Sequence, residues 1–329
     1  MTFQPRFCPR SDCPAHARAP FTFRHRGTFR RRCDQRVVAR FLCLACKRGF
    51  SEQSFRLDYR LKRPDLLPRF FLDRVSKVTH RQSARNHGCS RTTEERHFRR
   101  LSAHCEAFHE LRLAEVTKRG GLGDLFLLDE LETYEQHRIK QPVTVPVLIE
   151  RESGFVVDAR VGTLPSRETP PPPKGSEERR KSESRQVVKA AFERLRKFCP
   201  KAKRISVLTD QKPTYAVLLK QLFGARCDHG KTSSKRKRDI TNPLWPVNHT
   251  LARLRDGISR LVRETWAAAK KRRWLAGHLA IWVCYRNYIR GRTNRLHREP
   301  PAMKLGVQDR RWSVRQLLEW RILPSAKAQ

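Results

Sequence analysis

The spacing of apolar positions changes several times along the chain, and each change marks a segment. Up to about residue 60 the apolar side chains follow no helical period, and one strand-like stretch, residues 36–42, leads into a cysteine pair. This predicts a small β module. From Pro64 to about Lys118 the steps become three and four, as in Leu67, Phe70, Phe71, Val75 and Val78, which predicts helices. Beyond Gly120-Gly121 come three short apolar runs, residues 125–129, 144–149 and 155–161, with turn-length gaps as in an antiparallel meander. Residues 164–183 include Pro170 to Pro173 and too few apolar side chains for a core, so an extended surface loop is expected. The pattern then alternates: a helix at 184–198, a strand at 204–210 and a helix at 213–223, whose Pro213 sits where a first turn needs no N–H. From Pro246, Leu251, Leu254, Ile258, Leu261 and Thr265 continue in threes and fours and predict one long helix to about Arg290.

Three meander strands, then helix, strand, helix and a long helix is the element order of a ribonuclease H-like α/β fold, a mixed sheet with helices. Charge narrows what such a fold would act on. The 329 residues carry 72 Lys and Arg against 32 Asp and Glu, a formal charge of +40, spread along the whole length. A field of that sign attracts a polyanion, and nucleic acid is the expected partner. A membrane surface could use the same charge, but there is no amphipathic anchor, lipidation signal or apolar run of spanning length. A bacterial cytoplasmic, nucleoid-associated location is the expectation.

Four of the ten cysteines have metal-ligand spacing. Cys8 and Cys13 form a C-x4-C pair and Cys43 and Cys46 a C-x2-C pair, so two tight turns can complete the tetrahedral thiolate shell of a structural Zn2+. A β module this small has little core and needs such a staple. Cys33 and His16 are possible substitutes in the first pair. Downstream, residues 80–86 suit a short helix, His87-Gly88-Cys89 can turn, and Ser90 can cap a second helix whose Arg91, Thr92, Arg96, Arg99 and Arg100 face outward. This is a helix-turn-helix candidate, with the second helix reading a major groove. A purely structural helix pair would look similar.

Asp129 ends the first meander strand and Asp210 ends the later one. Paired carboxylates at neighbouring strand ends can hold divalent ions that activate an attacking oxygen and stabilise a leaving one. Asp129-Glu130 with Tyr134, Thr209-Asp210-Gln211 with Pro213 and Tyr215, and Leu254-Arg255 with Ser259-Arg260-Leu261 resemble the DDE transposases of small bacterial insertion sequences. The cysteine pairs, Phe50-Ser51, the helix pair, and Pro301-Ala302-Met303 with Gly306 resemble the same family. The resemblance implies a ribonuclease H-like core, Mg2+ dependence, double-stranded DNA at transposon ends and target as partner, a homo-oligomer on DNA, and cleavage with strand transfer. It also implies a third acid, and counting back from Leu254-Arg255 places Asn248 there. An amide oxygen can ligate magnesium, which makes an Asp-Asp-Asn site. Asp256 and Glu264 lie on the same stretch but about 12 and 24 Å from Asn248 if one helix is continuous.

The expected organisation is a zinc-ribbon module at 1–60, a helix-turn-helix domain at 61–118, a catalytic domain at 119–293 with the 164–183 insertion, and a tail at 294–329. Two other readings compete: a non-catalytic DNA-binding protein, either a regulator or a domesticated transposase, and an RNA-binding structural protein. The last would leave Asp129 and Asp210 unexplained.

Overall fold

The computed structural model describes residues 3–16, 21–171, 173, 180–262, 267–268, 270–293 and 299–321. The chain forms two compact units: residues up to Arg69 together with those from Arg315 on, and Phe70 to Val314.

In the first unit β1 (Phe23–Arg30), β2 (Val37–Cys43) and β3 (Gly49–Ser51) form an antiparallel sheet in that order. Its interior is small and aromatic, with Phe21 and Phe50 packed against Cys8, Cys13 and Cys43. Helix α1 (Leu66–Arg74) carries the chain into the second unit.

The second unit opens with α2 (His80–Asn86) and α3 (Arg91–Lys118). Thr79 and Gln82 form a capping box on α2, Gly88 turns the chain at φ 58°, and Ser90 accepts from Thr93 N to cap α3. Helix α3 runs on well past Leu101 and packs along a later helix, α7 (Arg272–Cys284), in the same unit as the sheet. Next come β4 (Leu125–Tyr134), β5 (Pro142–Glu150), β6 (Val156–Ala159) and β7 (Gly162–Thr163). Then α4 (Ser184–Phe198), β8 (Ile205–Asp210), α5 (Pro213–Phe223) and β9 (Cys227–Thr232) alternate.

The strands join in the order β6-β5-β4-β8-β9, with β7 beside β5. Strands β4, β5 and β6 pair antiparallel, while β8 and β9 run parallel to β4, as their crossover helices α4 and α5 require. All nine residues of β5 are buried, which places it in the middle of the core. This is the ribonuclease H-like mixed sheet that the hydrophobic pattern predicts. One strand escapes that pattern: β9 reads Cys-Asp-His-Gly-Lys-Thr, without apolar alternation, because it is a half-exposed edge.

The long helix expected from Pro246 to Arg290 is corrected. Helix α6 (Trp245–Gly257) ends at Ile258, whose φ −112° and ψ 113° are extended, and a single 3-10 turn follows at Ser259–Leu261. Gly257 marks the break, with a Cβ position 2.7 Å from Trp282 Nε1, while its carbonyl accepts from Lys77 N at 3.0 Å. The three-and-four period persists across the break because Leu254 before it and Leu261 after it are both buried. After α7, a π turn at Tyr285–Ile289 leads to α8 (Pro301–Lys304). Finally α9 (Val314–Glu319) takes the chain back to the first unit, where Leu317 is fully buried and Arg321 lies 4.0 Å over the Phe3 ring and pairs with Glu52.

Candidate functional site

Leu127 and Leu208 are register partners in the parallel pair β4–β8, so two residues on, Asp129 and Asp210 stand side by side. Asp210 ends β8, but Asp129, expected to end its strand, lies midway along β4, which runs on to Tyr134 because β5 keeps pairing with it. Both line a cleft of about 460 Å³ with Glu130, Gln211, Lys212 and Tyr215. Each aspartate has one oxygen fixed by the backbone: Glu130 N donates to Asp129 Oδ1 at 2.8 Å and Lys212 N to Asp210 Oδ1 at 3.0 Å. Among the described residues nothing donates to the second oxygen of either. Burial pushes the Asp129 carboxyl up to about 6, and the nearby Asp210 and Glu130 charges add to this, although the Glu130 N–H and Arg238 oppose it. The pair is therefore a concentration of negative charge that a cation would relieve.

Glu130 organises the cleft wall. Its Oε1 accepts from Lys212 Nζ and Tyr215 Oη, each at 2.5 Å, and its Oε2 from Thr144 Oγ1 at 2.6 Å and Ser184 Oγ at 2.9 Å. Burial alone would raise its pKa, but Lys212, Thr144 and Tyr215 outweigh burial and hold Glu130 below the usual glutamate range. Burial and the Glu130 charge push the Tyr215 phenol far up, so Tyr215 donates and does not ionise. Sequence spacing singles out Asp129 and Asp210 but not the hub Glu130 or Lys212. Four elements, β4, β5, α4 and the turn into α5, converge on Glu130, and only the tertiary fold brings them together.

Asn248 sits half-buried in the first turns of α6, which packs on β4 and β5. It is not among the described residues lining the cleft. Asp256 is exposed at the far end of α6 and pairs with Lys77 at 2.7 Å, away from the two aspartates. Glu264 lies outside the described residues, and the break after Gly257 removes the helical spacing that set it about 24 Å from Asn248. Among the described residues no third acid, histidine or cysteine joins Asp129 and Asp210 as a metal-ligand set.

In the first unit the Sγ atoms of Cys8, Cys13, Cys43 and Cys46 lie within 4.8 Å of one another and can hold a metal ion. The Cys8–Cys46 and Cys13–Cys43 separations are 3.9 and 3.8 Å. Thiolates about 2.3 Å from one tetrahedral zinc stand about 3.8 Å apart, whereas a disulfide needs close to 2.05 Å. Lys47, at φ 56°, turns the chain directly after the second pair. His16 and Cys33 take no part: the His16 ring bonds Cys8 O at 2.8 Å and Cys33 is exposed.

On α3, Arg91, Thr92, Arg96 and Arg99 are exposed and Arg100 is half-buried. Arg91 pairs with Glu95 at 2.7 Å, and Arg99 lies 5.4 Å over the Trp274 ring. Glu94 is buried, ion-paired with Arg74 and hydrogen-bonded to the His80 ring, which ties α3 to its own unit.

No family model matches the chain, and no curated protein matches it in sequence. Solved structures do resemble it. A chain of the simian T-cell lymphotropic virus intasome in complex with PP2A regulatory subunit B56 gamma is similar over 58% of this chain and 60% of its own, with 11% identity and a TM-score of 0.31. The catalytic domain of Mos1 mariner transposase is similar over 58% of this chain and 92% of its own, with 14% identity and a TM-score of 0.26. The Mos1 paired end complex with Mn gives 63% and 72% coverage, 12% identity and a TM-score of 0.25. Among the described residues no helix is long and apolar enough to cross a membrane.

Proposed function

We propose that this protein is a DDE-type transposase that binds element-end double-stranded DNA and catalyses metal-dependent phosphodiester cleavage and strand transfer. One observation carries the reading: Asp129 and Asp210, on adjacent parallel strands, share a cleft, and among the described residues nothing donates to the second oxygen of either. Asp129 and Asp210, helped by Asn248 on α6, are the groups that would hold Mg2+, which when bound supplies charge stabilisation at a phosphodiester and an activated water. The chain's own part is positioning. Glu130 fixes Lys212 at the cleft wall, where its ammonium can meet a phosphate, and the run Lys235 to Arg238 brings Arg238 close enough to act on the Asp129 charge. Structural Zn2+ on Cys8, Cys13, Cys43 and Cys46 would hold the first unit together. Arg91, Thr92, Arg96, Arg99 and Arg100 would contact DNA, and a homo-oligomer would pair the two element ends.

The test is cleavage, with magnesium, of duplex DNA carrying the sequences that flank the gene. The wild type should nick or cut it, and Asp210→Ala should not, while still binding it. A second reading has its own support, since no third acid completes the pair among the described residues. It is a non-catalytic DNA-binding protein on a transposase-like scaffold, and tight specific binding without cleavage in magnesium or manganese would favour it.

A further inference from the structure

The first unit holds a second cleft, of about 870 Å³, within the size range of ligand sites. Its floor is aromatic. Strand register sets His25 opposite Phe41 and Phe41 opposite Phe50, one row across β1, β2 and β3. Phe41 and Phe50 stack at 5.4 Å, and the exposed His25 ring stands edge-on to Phe41 at 5.3 Å. Arg10, Arg26, Arg40 and Arg60 surround this floor.

Their charge is not answered from within the unit. Every acidic residue between Phe3 and Arg69 is engaged elsewhere: Asp12 with Arg48, Asp34 with Arg31 and Arg36, Asp58 with those two and Arg56, Asp65 with Arg63, and Glu52 with Arg321. No Asp or Glu lines the cleft, and among the described residues none of its four arginines has a carboxylate in ion-pair reach. Arg60 is also held at φ 59°, a conformation that costs a non-glycine residue free energy, with its guanidinium 5.1 Å over the Tyr59 ring.

Unpaired guanidinium groups in a concave site select a phosphate-bearing ligand. The aromatic floor selects further. A duplex keeps its base faces stacked inside and offers such a floor only phosphates, whereas an unpaired strand can lay a base on it. The lining has no carboxylate or amide side chain to accept from a 2′-hydroxyl, so nothing of that kind favours RNA. We propose that this cleft binds single-stranded DNA, with a base against the His25–Phe50 floor and adjacent phosphates on Arg26, Arg40 and Arg60. The site is separate in chemistry from the carboxylate cleft and does not depend on cleavage.

The test uses the full chain without added magnesium, with fluorescence anisotropy on a short oligothymidylate, its duplex with the complementary strand, and the matching oligouridylate. His25→Ala should weaken oligothymidylate binding roughly tenfold and leave duplex binding unchanged, and His25→Phe, which keeps a flat ring, should restore it. Arg26→Ala with Arg40→Ala should weaken single-strand binding more than duplex binding. Both arginines are exposed, and unchanged circular dichroism will show the variants folded. Equal losses on single strand and duplex, or no loss with His25→Ala, would overturn the site. Tighter binding of oligouridylate would overturn the choice of DNA.

Discussion

His109 is fully enclosed, and its two nitrogens fix its tautomer: Nδ1 accepts from the Tyr288 hydroxyl at 2.9 Å and Nε2–H donates to Val157 O at 3.1 Å. Burial, helped by the nearby Arg194, pulls its pKa from 6.5 down to about 3. Between those values the unfolded chain binds a proton that the folded one refuses. Stability should therefore be complete above about 6.5 and fall on acidification toward about 3, with this one group contributing about 1.4 kcal/mol per pH unit. His109→Gln should flatten the pH dependence of urea unfolding by that amount, and an unchanged slope would show that His109 is protonated in the folded state. At the carboxylate cleft, the proposed function predicts that Asp129→Ala and Asp210→Ala abolish cleavage with DNA affinity nearly intact, because neither removes a phosphate contact. Asn248→Glu should keep or raise activity, since a carboxylate adds a full charge where an amide offers a dipole. If Glu264→Gln kills cleavage while Asn248→Ala leaves it untouched, Asn248 is not the third ligand.

At the scale of elements, the sequence makes the apolar parts legible and the polar ones obscure. Strands β4, β5 and β8 and helices α4 and α5 announce themselves because each buries a regular set of side chains, as Val188, Ala191, Phe192 and Leu195 do on α4. Strand β9 does not, since an edge strand held by backbone pairing to β8 needs no apolar alternation. The end of α6 is equally hidden, because Gly257 there lies against Trp282 of α7, far along the chain. Asp210 could be found from its strand end and Asp129 from the apolar run it follows, although β4 continues past Asp129 to Tyr134, whereas the role of Glu130 depends on four elements meeting. Gly257→Ala tests the packing account. A Cβ there meets Trp282 Nε1 at 2.7 Å and Val75 O at 3.4 Å, so the variant should lose about 1–3 kcal/mol in thermal or denaturant unfolding. An equally stable variant would mean that Trp282 and Val75 leave room for a methyl group at this position.

For the molecule as a whole, charge and metal set the conditions of function. With a formal charge of +40, DNA binding should be steeply salt-dependent, falling roughly a thousandfold between about 50 and 200 mM salt if about six phosphates are neutralised. A titration that stays flat over that range would leave the charge without a polyanionic partner. The cysteine set should retain about one zinc per chain, and Cys43→Ser or a strong chelator should unfold the first unit while Phe70 to Val314 keeps its helical signal. Metal analysis with far-ultraviolet circular dichroism decides this, and a metal-free chain with an intact β signal would show that the aromatic core suffices.

The first unit is built from both ends of the described chain, with Leu317 buried in it and Arg321 on Phe3 and Glu52. A ribosome delivers these parts in a fixed order. The four cysteines emerge before the sheet-bearing unit and can capture an ion while that unit is still unmade. Arg321 arrives only after the entire sheet-bearing unit has left the tunnel, so the cysteine-bearing strands wait for the whole of that unit to be made before their partner reaches them.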